Sequence, residues 1–466
     1  MLIVVSDFHL MDGTAGGHFV EPGVFRSTMH DLAGHAREAK AKDITLVFLG
    51  DVFDLFRTER WFDFELEQRP WGSNPSDAAL FDVFEGVVTK NRDTFAMLSG
   101  SLVDEFGFPV EPKRLYVPGN HDRMTNDHAH LRRRVREVLG ITGEDPEAPF
   151  ARLVLDQEHG VLLRHGHEWD DLNFEGSEAF DSMETLEAPE EDYQRMAIGD
   201  VIACEFASRL APLAASHLPE EHPHRARIAE RMRDVADVKP LVGMVRWASW
   251  QVGQWDKLER AAVNRAFDEA AKTMRDLPFT REWCARHDGF GLDRADKFQM
   301  LMRTFQRFKA SKGGRDNTIL AVADKLSALH ARDHYAEAAV KDFERLDRHP
   351  EIGRDIYYVM YGHTHIARQR PVEVLGEAPN ERYRVYFNTG TWRPTHRETV
   401  FGHGFASWKE ITYTLVYKPG EMVSGGVFMD YPAVEAWTGT VVVGRGRRST
   451  VYQPIPELLR REISTR

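Results

Sequence analysis

Seven polar side chains of types that bind metal ions follow short strand-like runs of the chain. They are Asp7, His9, Asp51, Asn120, His165, His363 and His365. Carboxylate, amide and imidazole groups without cysteine suit Mn²⁺, Fe or Zn²⁺ better than Ca²⁺ or Mg²⁺. Seven donors are too many for one ion with an open coordination position, and they fit two divalent ions that share a carboxylate. Two such ions about 3.5–4 Å apart stabilise the attacking and leaving oxygens of a displacement at phosphorus and provide a hydroxide near neutral pH.

Each group of candidate ligands comes at the end of a run that predicts a β-strand. The runs cover residues 2–5, 44–49, 114–117, 161–164 and 356–361. Short continuous apolar runs are typical of strands buried on both faces in an α/β fold. Open α/β sheets bind their ligands at the carboxyl ends of their strands, and Asp and His avoid sheet interiors unless they are paired or coordinated. The five polar endings therefore indicate one shared metal site.

The middle of the chain has a different pattern. Between residues 170 and 349 strand-like runs disappear and helical periodicity dominates, which predicts an all-helical insertion. The flanking residues 1–169 and 350–466 are expected to form the domain that carries the candidate ligands, and its last part alternates as short strands. Because the insertion follows His165 directly, it is a candidate cap that selects substrates by size and excludes bulk water.

Composition limits the classes of function. The chain has 466 residues and a net charge of −13, whereas proteins that bind nucleic acid nonspecifically usually carry a basic surface. The Arg132–Arg134 run is interpreted as the solvated face of an amphipathic helix. Two cysteines do not form a disulfide framework. We expect a cytoplasmic protein, because no run of about 18 apolar residues predicts a membrane helix and the first apolar segment is too short for a signal peptide.

The motifs occur in an order that resembles the calcineurin-like metallophosphoesterase superfamily. They are Asp-x-His at 7–9, Gly-Asp-x-x-Asp at 50–54, Gly-Asn-His-Asp at 119–122, His-Gly-His at 165–167 and Gly-His-Thr-His at 362–365. The segment 388–392, Asn-Thr-Gly-Thr-Trp, is similar to the family's pattern as well, and the helical insertion lies outside the resemblance. The resemblance implies an α/β (α+β) fold, a four-layer sandwich in which two facing sheets are flanked by helices.

The resemblance also implies a role for each motif residue. The ligands would divide between two ions, of which Mn²⁺ is the expected metal and Fe or Zn²⁺ the alternatives: Asp7, His9 and His365 for the first, Asn120, His165 and His363 for the second, and Asp51 bridging both. His121 would protonate the leaving oxygen or stabilise charge on the phosphoryl group. Asp54 would orient His121, because the partner of one ring nitrogen sets the tautomer and charge of an imidazole.

Several interpretations stay open for residues next to the motifs and for the metal site itself. His167 is either a group that supports a ligand, a substrate contact or a plain hydrogen-bonded side chain. Arg368, Arg393 and His396 either meet phosphate oxygens, which arginine binds with two parallel hydrogen bonds, or form structural contacts. The metal site itself could be purely structural, or the chain could bind phosphate without turning it over. A structural metal site would not need an open coordination position and an adjacent spare histidine, and a chain that only binds phosphate is disfavoured because no expected ligand is missing.

The sequence therefore predicts a metal-dependent hydrolase that acts on a small or medium phosphodiester, pyrophosphate or phosphomonoester, including nucleotide-type substrates. Residues 165–170 and 387–392 resemble most the branch that includes UDP-2,3-diacylglucosamine hydrolases. One alternative is a DNA or RNA nuclease of the same superfamily. The acidic charge disfavours it, although the basic helical region 298–315 could form a local groove. Another alternative is a scaffold whose insertion binds a partner.

Overall fold

The computed structural model describes residues 1–16, 21–238, 243–253, 255–289, 293–307, 334–378, 380–400, 404–423 and 426–443. Its architecture is mixed α/β, as predicted. The strands in chain order are β1 Leu2–Val5, β2 Thr45–Leu49, β3 Lys113–Val117, β4 Leu153–Asp156, β5 Val161–Arg164, β6 Tyr358–Tyr361, β7 Arg368–Leu375, β8 Arg382–Asn388, β9 Thr395–Glu398, β10 Phe405–Tyr417, β11 Met422–Val423, β12 Val427–Phe428 and β13 Ala433–Val443.

The strands form two mixed sheets and one small hairpin. The first sheet has the order β13-β10-β1-β2-β3, with β9 also paired to β10, and the second has the order β4-β5-β6-β8-β7. In the first sheet β1, β2 and β3 run parallel, and in the second β5, β6 and β8 run parallel. The remaining pairs are antiparallel, including the hairpin of β11 and β12. The first sheet is thus antiparallel on its β10–β13 side and parallel from β1 to its edge β3, whereas the second has a parallel centre between two antiparallel edges.

Side chains of the central strands alternate between two cores, as the pleat of a strand requires. In β1, Leu2 and Val4 belong to a hydrophobic cluster that also contains Leu163 and Met360 of the second sheet. Ile3 faces the opposite way, into a cluster formed with helices. The two sheets therefore share an interior, and their outer faces are covered by helices.

The helices before the insertion cover the first sheet. They are Pro22–Glu38, Asp77–Lys90, Arg92–Ser99, Leu102–Phe106 and Ala129–Leu139. Ser76 begins the second of them, because its hydroxyl accepts a hydrogen bond from the Ala79 backbone N–H at 3.3 Å. The segment from residue 77 to 106 forms three helices, with breaks at residues 100–101 and at Asn91. The Asn91 side-chain amide donates to the carbonyls of Met11 and Val87, which ties the break to the loop after β1.

Between β5 and β6 the described residues form helices and loops. The α-helices are Ser177–Ser182, Glu190–Gln194, Ile198–Val201, Leu210–Ser216, Arg225–Arg233, Gly243–Val252, Lys257–Asp276, Pro278–His287, Arg294–Gln306, His334–Asp347 and Pro350–Gly353, and a π-helical segment covers Ile202–Ser208. Buried side chains such as Val201 and Phe206 belong to the same cluster as Ile3. The insertion thus shares a core with the first sheet. The basic region 298–315 lies partly outside the described residues.

No helix among the described residues is both long and apolar enough to cross a bilayer.

Candidate metal centre

The predicted site residues come together at the carboxyl ends of the parallel strands. Asp7 and His9 follow β1, Asp51 and Asp54 follow β2, Asn120 and His121 follow β3, His165 follows β5, and His363 and His365 follow β6. Neighbouring parallel strands end at the same edge of a sheet, and the two sheets face each other. Residues as far apart in sequence as Asp7 and His365 therefore meet in one place.

The first group of candidate ligands consists of Asp7, His9, Asp51 and His365, whose donor atoms all lie within 4.8 Å of one another. The Nε2 atoms of His9 and His365 are 2.9 Å apart. Asp7 Oδ1 lies 3.3 Å from His365 Nε2, and Asp51 Oδ2 lies 3.4 Å from His9 Nε2. Two imidazole nitrogens and two carboxylate oxygens converging in this way form a donor set of the kind that binds a divalent transition metal.

The second group consists of Asp51, His165 and His363, with Asn120 beside them. His165 Nε2 lies 3.2 Å from Asp51 Oδ2, and His363 Nδ1 lies 2.9 Å from Asn120 Oδ1. Asp51 belongs to both groups, and the same oxygen, Oδ2, faces His9 and His165. The geometry thus places Asp51 between the two groups.

Two buried polar atoms in the centre lack the hydrogen bonds that burial normally requires. Within the described residues neither Asp51 Oδ2 nor His165 Nε2 has a hydrogen-bond partner, although both side chains are almost completely buried. Leaving such atoms unsatisfied is costly. A metal ion bound to these atoms would satisfy both, so the residues present fit the metals that the sequence indicates.

The backbone at the candidate ligands is strained. Among the described residues six non-glycine residues have positive φ, and five of them are candidate ligands: Asp7, His9, Asp51, His363 and His365, with φ between 47° and 67°. A non-glycine residue in this region is uncommon, and its conformation persists only when the surrounding structure enforces it. Concentration of this strain at one site is typical of functional loops.

Two glycines allow the strand ends to approach each other. A Cβ atom on Gly119 would lie 2.3 Å from Asp51 Oδ1, and one on Gly362 would lie 2.5 Å from Asp7 Oδ2. Both distances are far below van der Waals contact, so a side chain at either position would displace a candidate ligand.

Asp54 contacts two histidines at once. Its Oδ1 lies 2.9 Å from His121 Nδ1 and its Oδ2 lies 2.9 Å from His9 Nδ1. The contact with His121 agrees with the predicted orienting role, and the contact with His9 was not predicted. The His121 side chain is 15% exposed, whereas Asp54 is fully buried. Burial opposes protonation of His121, but the carboxylates of Asp54 and Asp51 outweigh it and raise its pKa.

Opposite charges dominate the electrostatics of the centre. Burial by itself lowers the pKa of His165, yet the nearby Asp51 carboxylate raises it to about 10. Burial would likewise raise the pKa values of Asp7 and Asp51. The surrounding histidines, His365 and His9 for Asp7 and chiefly His165 for Asp51, hold both well below the ordinary range. The surrounding histidines thus favour the ionised form of the carboxylates, which is the form that binds metal.

One residue of the site was missed by sequence reasoning. Asp170 Oδ2 lies 3.0 Å from Nε2 of the candidate ligand His363. Its sequence signals are its place five residues after His165, on the loop that leaves the site, and its inclusion in the segment 165–170, although the predicted domain boundary separates it from the ligands.

The residues next to the motifs, His167, Arg368, Arg393 and His396, have different surroundings. His167 is buried with its ring 5.5 Å from that of His165, and burial lowers its pKa to about 3, so the ring is neutral. Neither of its ring nitrogens has a hydrogen-bond partner within the described residues, in contrast to a plain hydrogen-bonded role. Arg393 is buried and forms an ion pair with Asp237 of the insertion, which agrees with the structural interpretation. His396 packs against Trp247, while Arg368 is exposed on β7.

A further group of metal-binding side chain types lies in the insertion, formed by His222, Asp256 and Glu259. The contacts within this group are typical of a helix N-terminus. The Asp256 side chain accepts from the Glu259 backbone N–H, and the Glu259 side chain accepts from the Asp256 backbone N–H. His224 binds the other Glu259 oxygen at 2.7 Å. Helix capping accounts for Asp256 and Glu259, and His222 Nδ1 accepts from the His224 backbone N–H at 3.3 Å.

Comparison of the chain with models of protein families, with curated proteins and with solved structures finds no match. The structure by itself defines a mixed α/β protein with buried groups of histidine and aspartate that could hold a metal ion.

Proposed function

We propose that the chain is a metal-dependent phosphoester hydrolase of the calcineurin-like metallophosphoesterase superfamily. The observation that carries the proposal is the convergence of seven predicted ligands from five separate strand ends, with Asp51 Oδ2 facing histidines of both groups. The order of the motifs and the two facing sheets with helices outside support the same conclusion.

The candidate ligands divide in the way that the resemblance implies. Asp7, His9 and His365 would hold one ion, Asn120, His165 and His363 the other, and Asp51 both. Bound divalent ions, with Mn²⁺ expected, would supply an activated water and positive charge next to phosphorus. The role of the protein is to keep the donors fixed, since the glycine contacts and strained backbone leave these side chains little freedom.

His121 is proposed to donate a proton to the leaving oxygen. Its Nδ1 is engaged by Asp54, so the other ring nitrogen remains for the substrate. The Asp54 and Asp51 carboxylates raise its pKa, which favours the protonated ring that a general acid requires. His121 is also more exposed than the candidate ligands around it, as expected for a group that meets substrate from solvent.

The insertion is proposed to restrict the substrate to small or medium phosphoesters. Its carboxylate Asp200 forms an ion pair with Arg123, 2.6 Å apart, two residues after His121. Helices of the insertion therefore lie beside the proposed acid. A cap in this position selects by size and excludes water, and the net charge of −13 favours it over a long polynucleotide groove.

A hydrolysis panel tests the proposal. Metal-depleted protein would be supplied with Mn²⁺, Fe²⁺ or Zn²⁺ and assayed with bis-p-nitrophenyl phosphate, p-nitrophenyl phosphate, nucleotide pyrophosphates and labelled single-stranded DNA. We expect Mn²⁺-dependent cleavage of the diester and no cleavage of the DNA. Cleavage of the DNA at a comparable rate would instead indicate the nuclease. Absence of hydrolysis with every metal and substrate would refute an enzymatic role for the site.

A further inference from the structure

The two ring nitrogens of His363 face different partners. Nδ1 lies 2.9 Å from Oδ1 of the candidate ligand Asn120, and Nε2 lies 3.0 Å from Oδ2 of Asp170. The nitrogens of an imidazole point in different directions, so the nitrogen towards Asn120 is the one that faces the second group of ligands. The other nitrogen carries the proton that Asp170 accepts, because an ionised carboxylate can only accept.

Two other candidate ligands have the same arrangement. His9 has Nδ1 against Asp54 and Nε2 towards the first group, and His165 has Nδ1 2.9 Å from the Leu49 carbonyl and Nε2 towards Asp51. Metal-binding histidines commonly donate their outward N–H to a carboxylate or carbonyl, which fixes the tautomer and the orientation of the ring. Asp170 occupies this place for His363.

Asp170 is itself held in position. Its Oδ1 accepts from the Leu172 backbone N–H at 2.8 Å, and its Oδ2 accepts from Asn173 Nδ2 at 3.0 Å and from the Tyr335 hydroxyl at 3.3 Å. Tyr335 belongs to the helix His334–Asp347 at the end of the insertion. The neighbouring His334 side chain contacts the Trp169 carbonyl at 2.7 Å, so this helix holds the loop that carries Asp170.

We propose that Asp170 is a positioning residue for His363 and that Tyr335 links it to the last helix of the insertion. The inference rests on the proposed two-metal function. It gives the insertion a role besides covering the site, since a residue of its last helix supports the carboxylate that orients one ligand. If Asp170 served only to hold the loop, removing its charge would leave metal affinity unchanged.

The test compares three variants with the full-length wild-type chain. Asp170→Asn removes the charge, Tyr335→Phe removes one hydroxyl, and Asp171→Asn is the matched control. Asp171 accepts from the Ser177 hydroxyl at 3.0 Å and has no part in the centre. Bound Mn²⁺ would be counted by elemental analysis, affinities measured by competition with a chelator, and the exchange-coupled ion pair followed by electron paramagnetic resonance.

We expect two ions in the wild-type chain and about 10- to 100-fold weaker binding of one ion in Asp170→Asn, with loss of the coupled signal. Tyr335→Phe should lower the affinity for the same ion about twofold to tenfold, which is the usual contribution of one hydrogen bond. Asp171→Asn should match the wild type. If Asp170→Asn misfolds, the metal affinity of Tyr335→Phe tests the positioning role in its place.

Two results would contradict these expectations, and they are distinguishable. Two tightly bound ions in wild type, Asp170→Asn and Tyr335→Phe alike would overturn the positioning role and leave the proposed function intact. A wild-type chain that binds no Mn²⁺, Fe²⁺ or Zn²⁺ would overturn the proposed function and this inference together.

Discussion

The substitution Asp51→Asn is expected to weaken the binding of both ions at once. Asp51 Oδ2 lies 3.2 Å from His165 Nε2 and 3.4 Å from His9 Nε2, so one oxygen serves both ligand groups. Asparagine has the same shape and keeps an oxygen for the His121 backbone N–H, which Asp51 Oδ1 now accepts at 2.8 Å. The substitution therefore removes the shared charge with little change in packing.

The size of the effect follows from the interactions that are lost. A charge-assisted interaction is worth about 1.5–3 kcal/mol, and each ion would lose one. At about 1.4 kcal/mol for a factor of ten, the affinity for each ion should fall about 10- to 140-fold. Since the proposed chemistry needs both ions, hydrolysis of the diester at limiting Mn²⁺ should fall about 100-fold or more.

The assay combines Mn²⁺ content with the rate of bis-p-nitrophenyl phosphate hydrolysis. Asp156→Asn is the matched control, because Asp156 Oδ2 also lies 3.0 Å from a histidine nitrogen, that of His159, outside the metal centre. The control should keep both ions and the wild-type rate. An Asp51→Asn variant that binds two ions and retains its rate within twofold would refute the bridging role.

Three further substitutions and one removal test other parts of the account. His121→Ala should lower kcat about 100- to 10,000-fold with unchanged metal content, since a general acid contributes that much. Asp54→Asn should lower both kcat and metal affinity, because the carboxylate contacts two histidines of the centre. Gly119→Ala should abolish metal binding, measured by elemental analysis, because its Cβ would displace Asp51. Gly23→Ala, whose Cβ would have no atom within 4 Å, should keep its metal. Removal of the ions with a chelator should lower Tm by a few degrees, as expected when a ligand at about 100 times its Kd stabilises by about 2.7 kcal/mol.

Local patterns in the sequence were sufficient to predict the strands that carry the ligands. Each buried strand is a continuous apolar run, and the parallel arrangement forces their polar ends to one edge. β1, β2 and β5 were therefore predictable within a residue or two, and the mixed α/β class followed. The break of the helix at Asn91 was not predictable, because it depends on a hydrogen bond to Met11, 80 residues away.

Contacts between distant segments account for what the sequence did not reveal in the site. The contact of Asp54 with His9 and that of Asp170 with His363 join residues 45 and 193 positions apart. Neither pair forms a motif with characteristic spacing. The backbone strain at the ligands was likewise not predictable from the sequence, since positive φ at aspartate and histidine has no signature in composition or periodicity.

The number of ions bound at full activity tests the central claim most directly. Metal-depleted protein would be titrated with Mn²⁺ while hydrolysis of bis-p-nitrophenyl phosphate and bound metal are measured on the same samples. We predict that activity rises to its maximum as the second equivalent binds and that it is absent in the metal-depleted chain. Full activity without metal, or two bound ions without any phosphoester hydrolysis, would contradict a dinuclear phosphoesterase.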